Sequence, residues 1–327
     1  MSDADGPKRY LGFDLGGSKM LAVVYDEQLR PLARQRTKTK AHEGVASGLG
    51  RIVELIEKAC GDAGIRPDRL TAVGIGCPGP IDMDKGVIRS APNLPYDELA
   101  IGAKLTEALS CPVHVLNDVD AGVYGEYRFG AGRDAHSVLG VFPGTGIGGG
   151  FIYRGEVFRG AAISCMELGH IPVDDCGPPC GCGRNGCLEA VASRLALAAE
   201  AAKAAHRGDA PTVLKEAGMD LAKIRSGVLR DAAAAGDPTL LRAIDQMCRR
   251  IGTTLAGVVA VLAPDVIVLG GGLIEAMPGL FLPPIEAAIR ARVMPVYVDK
   301  FRVAAAELGD DATTLGAAAW AERMTRG

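Results

Sequence analysis

No charge of either sign dominates this chain. Its 36 basic and 39 acidic residues leave a formal charge of −3. That balance supplies neither the basic footprint of a nucleic-acid binder nor attraction to an anionic membrane. Long apolar runs are missing too. The most apolar stretch, Ile251 to Ala263, is too short to cross a bilayer and is stopped by Pro264-Asp265. The N-terminal MSDADGPKRY is polar and acidic where a secretory signal needs a basic start and an apolar run. These absences predict a cytoplasmic protein with no nucleic-acid and no membrane partner. Aromatic residues are few, at 5% with a single Trp, but apolar residues reach 48%. A core can therefore form, and the abundant Ala and Gly suit closely packed helices and tight turns. At 327 residues the chain exceeds the size at which single cores usually stop growing, so two domains are expected.

What the sequence does contain is a recurrence. RYLGFDL (9–15) alternates like a strand, GGSK turns the chain, and MLAVVYD and LARQRTKT read as further strands. Residues 44–64 carry Val45, Leu49, Ile52, Val53, Ile56 and Ala59 at helical spacing. A strand at 70–76, a helix near 97–109 and the strand PVHVL follow. The pattern then restarts: SVLGVFP (137–143), the turn GTGIGGG, and the alternating GFIYRGEVF. Helical spacing returns at 189–206 and again from Leu241 to Leu262. VIVLGGGL, a strand from Val303 to Glu307 and a helix at 312–324 close this half. The repeat predicts two similar α/β domains facing each other across a central cleft.

Three glycine turns follow apolar strands. Backbone amides at glycines can approach phosphate oxygens closely. In Asp14-Leu15-Gly16-Gly17-Ser18-Lys19, Ser18 and Lys19 add donors, and Asp14 stands at the strand end, placed to hold a magnesium-bound water. Gly144-Thr145-Gly146 is the second turn. GTGIGG spells a dinucleotide fingerprint, but strand alternation follows where a helix should begin, so that fold is rejected. A P-loop is absent as well. The third turn, Gly270-Gly271-Gly272, suits a flat adenine ring against bare backbone. Each turn taken singly is also an ordinary connection.

Asn117-Asp118 ends the strand VHVL, and ligands gather at such carboxyl ends in open α/β sheets. A carboxylate there is placed to take the proton of a hydroxyl attacking phosphorus. The same pair reads equally as an Asx turn or helix cap. Farther on, CGPPCGCGRNGCLE (176–189) crowds four of the nine cysteines into twelve positions. Cys180, Cys182 and Cys187, with His170 in MELGHIP, form a closed set of three thiolates and one imidazole. That set favours structural Zn2+ over a catalytic ion, which would keep an open position. Cys176 is an alternative ligand. Disulfides are disfavoured in a reducing compartment. The cysteines at 60, 77, 111, 165 and 248 sit in apolar contexts and read as packing residues. A zinc clasp would also bring together Glu167 and Glu189, a carboxylate pair suited to sugar hydroxyls.

These motifs resemble the ROK family of repressors, open reading frames and sugar kinases, in the superfamily that includes actin. The resemblance runs from DLGGSK (14–19) to LGAAAWA (315–321). Its most specific part is ELGH (167–170) followed by CGCGRNGCLE (180–189), which fits E-x-G-H and then C-x-C-G-x-x-G-C-x-E. GIGCPGPID (74–82), PNLP (92–95), ND (117–118) and GTGIGGG (144–150) also look like family signatures. The resemblance implies two ribonuclease-H-like domains: 1–117, completed by the C-terminal helix 312–327, and 118–311, carrying the zinc loop. It implies ATP-dependent phosphorylation of a hexose, glucose first, with N-acetylated hexosamine, fructose, mannose and allose as alternatives and polyphosphate as an alternative donor. Asp118 would be the base at the 6-hydroxyl. Asn117, Glu167, His170 and Glu189 would hold other hydroxyls, with Gly79 and Asn93 lining the pocket. His170 would bind zinc through one ring nitrogen and approach sugar with the other. Asp14, Gly16, Gly17, Ser18 and Lys19, with Gly144, Thr145 and Gly146, would cradle ATP phosphates bridged by Mg2+. Gly270, Gly271 and Gly272 would border adenosine. A homodimer or higher homo-oligomer is implied as well. One departure stands out: Asp120 occupies a position that is often Asn, where it would either raise the pKa of Asp118 or contribute to metal binding. The family's repressors carry a winged helix-turn-helix before the first glycine loop. Only thirteen residues precede Asp14 here, so a sugar-sensing regulator is disfavoured.

Overall fold

A computed structural model describes residues 6–91, 94–161 and 163–326. The chain opens with three antiparallel strands, β1 (Tyr10–Leu15), β2 (Lys19–Tyr25) and β3 (Pro31–Lys38). Then come α1 (Gly44–Asp62), β4 (Ala72–Cys77), β5 (Ile81–Asp82), β6 (Val87–Ala91), β7 (Tyr96–Leu99), α2 (Ile101–Leu109), β8 (Val113–Asn117) and α3 (Asp118–Phe129). The second run begins with β9 (Ser137–Pro143), β10 (Ile147–Tyr153) and β11 (Glu156–Val157). It continues with α4 (Leu188–Ala192), α5 (Arg194–His206), α6 (Pro211–Ala217), α7 (Ser226–Ala234) and α8 (Pro238–Leu262). It ends with β12 (Val266–Leu269), α9 (Gly272–Ala276), α10 (Pro278–Arg290), β13 (Arg302–Ala305) and α11 (Ala312–Thr325).

The recurrence is one of sheet topology. The two five-stranded sheets run β3-β2-β1-β4-β8 and β11-β10-β9-β12-β13. In each, the third strand of the order comes first in the chain, its hairpin partner lies on one side, and two parallel neighbours lie on the other. This is the mixed α/β architecture expected. Strands β1, β2 and β4 are buried almost throughout, as strands covered on both faces should be. The edge strand β3 alternates between exposed and half-buried residues and presents Arg34 and Arg36, charges that discourage edge-to-edge pairing.

The chain forms two compact units. One comprises Met1–Asp134, Gly150–Cys165 and Asp310–Gly327; the other, Ala135–Gly149 and Met166–Gly309. In the first, α1 buries Ile52, Leu55, Ile56 and Ala59 and packs on β2 and β3. Full burial of each isoleucine contributes roughly 1.5–3 kcal/mol. Helix α11 lies on β1, β4 and α3. It approaches so closely that a Cβ at Gly12 or Gly74 would fall 1.8 Å from its carbonyls, those of Thr314 and Ala317. Because α3 packs on α11, this unit continues past residue 117 to Asp134. In the second unit, α8 buries Leu240, Ile244, Met247, Cys248, Ile251, Leu255 and Val259 along one side and packs against α5 and α10. It stops at Ala263, just before Pro264, which cannot continue a helix.

Two stretches differ from expectation. The helix expected near 97–109 begins only at Ile101, because Tyr96–Leu99 pairs with Val87–Ala91 in a three-stranded sheet, β5-β6-β7. Cys165 is half-buried rather than packed in a core, whereas Cys60, Cys77, Cys111 and Cys248 are buried. Among the described residues no helix is long and apolar enough to cross a membrane.

Candidate active site

In the first unit β1 delivers Asp14 next to its carboxyl end. The turn into β2 closes with the Gly16 amide donating to the Lys19 carbonyl at 3.1 Å. Thr39 braces it from beyond β3: its hydroxyl donates to the Gly16 carbonyl at 2.6 Å and its amide to the Ser18 carbonyl at 3.0 Å. Gly17, Ser18 and Lys19 are exposed, so the tip is open to a ligand. Asp310, just before α11, takes Lys19 Nζ at 3.5 Å and Arg36 Nη2 at 2.9 Å. The Arg36 hydrogen bond holds the Asp310 carboxyl below its usual range.

Asp14 behaves oppositely. Burial first, and then the Asp118 carboxylate, push it from 3.8 up to about 7, against the pull of Lys19 and Arg36. The folded chain therefore binds a proton that the unfolded chain has already released between about pH 4 and 7. Stability contributed by the protonated form is present below that window and is lost as pH rises through it. Asp14→Asn, which cannot ionise, is expected to flatten this part of the pH–stability curve. A change on the order of 1 kcal/mol, or about 2–4 °C in Tm, is the scale to look for. Thermal unfolding of the nucleotide-free protein across the window measures it. An unchanged slope in the variant would mean that the carboxyl is fully solvated.

At the end of β8 the chain turns directly into α3. Asn117 is the N-cap: its Oδ1 accepts from the amides of Val119 at 2.8 Å and Asp120 at 3.2 Å. Its Nδ2 donates to the Gly79 carbonyl at 3.0 Å, leaving one amide hydrogen for a ligand. The cap alternative left open by the sequence thus describes Asn117. Asp118 Oδ1 accepts from the Val119 amide at 2.9 Å, and the Thr313 hydroxyl lies 3.3 Å from the Asp118 carbonyl. Both Asp118 and Asp120 occupy the first turn of α3, where the helix dipole favours negative charge. Asp120 is 1% exposed and Asp118 is half-buried, so the two carboxylates occupy different surroundings. Asn93 lies outside the described residues.

In the second unit, β9 and β12 are parallel neighbours, so the turns at their carboxyl ends adjoin. The Gly270 amide donates to the Val141 carbonyl at 3.1 Å, and the Gly144 amide to the Gly146 carbonyl at 2.8 Å. Glu189, in the first turn of α4, accepts from the Ile147 amide at 3.0 Å through Oε2. Gly146 leaves room for that carboxylate: a Cβ would fall 2.0 Å from the same oxygen. Glu167 opens the short turn Leu168–His170. Solvent reaches its carboxyl, but protein fills much of the volume around it. That partial desolvation raises its pKa, with His170 opposing and Glu189 adding.

His170, Cys180, Cys182 and Cys187 converge, with one ligand atom from each inside a 4.8 Å span. Cys182 Sγ and Cys187 Sγ are 3.7 Å apart, and Cys180 Sγ and His170 Nδ1 are 3.6 Å apart. Zinc bonds of ~2.3 Å to sulfur and ~2.0–2.1 Å to nitrogen place tetrahedral ligand atoms about 3.5–3.8 Å from one another. The donor set therefore fits a tetrahedral ion bound through Nδ1, with Nε2 left over. Cys176 is exposed and is not among the converging ligands.

The sequence profile of the ROK family matches residues 10–324. The chain belongs to the ROK family. It is 33% identical to a glucokinase of Thermotoga maritima over 95% of this chain and 96% of the relative. It superposes with a TM-score of 0.83, at 31% identity, on a ROK family glucokinase from Streptomyces griseus solved with glucose and AMPPNP. That match covers 97% of this chain and 100% of the other. A ROK family transcriptional regulator, a homologue of the Escherichia coli Mlc protein, gives a TM-score of 0.85 at 28% identity, with 78% of its chain covered. Within this ROK chain, Asp14 to Lys19, Gly79, Asn117 and Asp118 belong to the first unit. Gly144 to Gly146, Glu167, His170, Glu189, Gly270 to Gly272 and the cysteine ligands belong to the second. Thr39 and Asp310, which brace the first turn, are not recognisable in the sequence. Nothing local ties them to a loop so distant along the chain.

Proposed function

We propose that this chain transfers the γ-phosphoryl group of ATP to the 6-hydroxyl of a hexose, glucose first. The observation that carries this reading is the likeness, across nearly all of both chains, to a ROK glucokinase holding glucose and AMPPNP. Asp118 takes the proton from the sugar hydroxyl as that oxygen attacks phosphorus. Such a base adds roughly 10²–10⁴ in rate, with positioning and charge neutralisation supplying the rest. The remaining Asn117 amide hydrogen, Glu167, Glu189 and His170 Nε2 hold the other hydroxyls, and Gly79 lines the pocket. The Gly16–Lys19 and Gly144–Gly146 turns, whose first amides close the turns themselves, offer their remaining amide, hydroxyl and ammonium donors to the phosphates. The Gly270–Gly272 turn borders adenosine. Asp14 holds a water of the Mg2+ that accompanies ATP; that ion neutralises phosphate charge and favours the ionised form of Asp14. Zn2+ at His170, Cys180, Cys182 and Cys187 is structural, because four protein ligands leave no open position. A cytoplasmic location and a homodimer or higher homo-oligomer belong to the same proposal.

ADP release with ATP, Mg2+ and a panel of hexoses tests it. Glucose is expected to give the highest kcat/KM among glucose, mannose, fructose, allose and N-acetylated hexosamines. Replacing ATP by inorganic polyphosphate is expected to abolish most turnover. ADP release that no sugar stimulates would sink the kinase assignment and leave a sugar-sensing regulator.

A further inference from the structure

Arg194, the first residue of α5, is held against the second glycine turn. Its Nη2 donates to Thr145 Oγ1 at 2.9 Å, and its backbone amide donates to the Gly144 carbonyl at 2.9 Å. Its Nη1 lies 3.5 Å from the Ile224 carbonyl, just ahead of α7. Among the described residues no Asp or Glu pairs with this guanidinium. Helix stability does not account for it, because a cation at a helix N-terminus opposes the dipole. Core packing does not either, since the residue is only half-buried. An unneutralised, fork-shaped donor therefore stands beside the second glycine turn. Thr145 shares this arrangement. By accepting from Arg194, its oxygen keeps its own hydrogen for another acceptor. Nearby, a Cβ at Gly272 would lie 3.4 Å from Ser226 Oγ, so the Ile224–Ser226 segment also borders the third glycine turn.

We propose that Arg194 binds the phosphate chain of the donor nucleotide, together with the Thr145 and Gly146 amides and the Thr145 hydroxyl. Planar guanidinium donors match phosphate oxygens in pairs, which a lysine cannot reproduce. The assignment rests on the kinase reading and adds a phosphate-binding residue to it. It predicts that Arg194 discriminates nucleotides by their phosphates and not by their base.

Calorimetric titration of ADP and of adenosine into the wild-type protein and its variants tests this. Arg194→Ala is expected to weaken ADP about 10–100-fold, the scale of a lost charged hydrogen bond, and to leave adenosine affinity unchanged. Arg194→Gln keeps a donor for Thr145 without the charge and should lose ADP nearly as far. Arg194→Lys should fall between these variants and the wild type. These two variants decide the matter if the alanine variant proves unstable. Unchanged ADP affinity in both Arg194→Ala and Arg194→Gln overturns the proposal. So does an equal loss of adenosine and ADP, which would make Arg194 a brace for the turn. A wild-type protein that binds neither compound overturns the kinase reading itself.

Discussion

Asp118→Asn is expected to bind glucose with unchanged affinity and to lose turnover by about 10²–10⁴-fold. The substitution is nearly isosteric. An asparagine Oδ1 can still accept from the Val119 amide, the bond the aspartate makes at 2.9 Å. The Asn117 cap and the start of α3 should therefore survive. What disappears is the basicity that takes the sugar proton, and with it one negative charge beside Asp14. That charge is the second-largest cause of the raised Asp14 pKa, so the variant should also titrate Asp14 at lower pH. Calorimetric glucose affinity, kcat and the pH–stability curve of one preparation separate these effects. A variant that phosphorylates at the wild-type rate would assign the base elsewhere.

Cys182→Ser should release zinc and weaken glucose binding by roughly tenfold or more. Residues 172–186 are mostly exposed and bury little apolar surface. Their order depends on a few backbone bonds, such as Val173 amide to Gly186 carbonyl at 2.8 Å and Cys180 amide to Arg184 carbonyl at 2.7 Å. An ion joining both ends of such a loop supplies free energy that burial does not, since metal affinity couples directly to local folding. His170 is itself a ligand, and Glu189 follows Cys187 by two residues into α4. Loosening the loop therefore moves two of the proposed sugar contacts, one of which, Glu189, also holds the Ile147 amide. Elemental analysis and glucose titration of the purified variant measure both outcomes. Full zinc occupancy with unchanged KM would contradict the clasp.

The legible parts of the fold are those with a strong local period. Strands β1, β2, β4, β8, β9 and β12 and helices α1, α8 and α11 repeat apolar residues at a spacing that one face or two must bury. Tyr96–Leu99 lacks such a signal. Its residues read as the start of a helix, and only pairing with Val87–Ala91 makes them a strand. Helices α6 and α7 lie in a polar, Gly- and Asp-rich stretch whose few buried residues, among them Val213, Leu229 and Ala232, are too sparse to show a face by themselves. Asn117 illustrates a different limit. Its sequence context suits both a ligand contact and a cap, and only the bonds to Val119, Asp120 and Gly79 show that it is a cap with one amide hydrogen to spare.

The sequence by itself determined most of the alternation of strands and helices, the three glycine turns and the candidate ligand set of one histidine and three cysteines. Each of these is written within a short segment, as hydrophobic period, backbone freedom or ligand chemistry. Tertiary structure decided which segments meet. It set the Gly270 turn beside the Gly144 turn, returned α11 to the first sheet, and brought Thr39 and Asp310 to the Gly16–Lys19 turn. It also put an arginine guanidinium against Thr145. Those meetings follow from strand order and from helices packing across long chain separations. Hydrogen bonding and burial select them globally, and no local spacing encodes them.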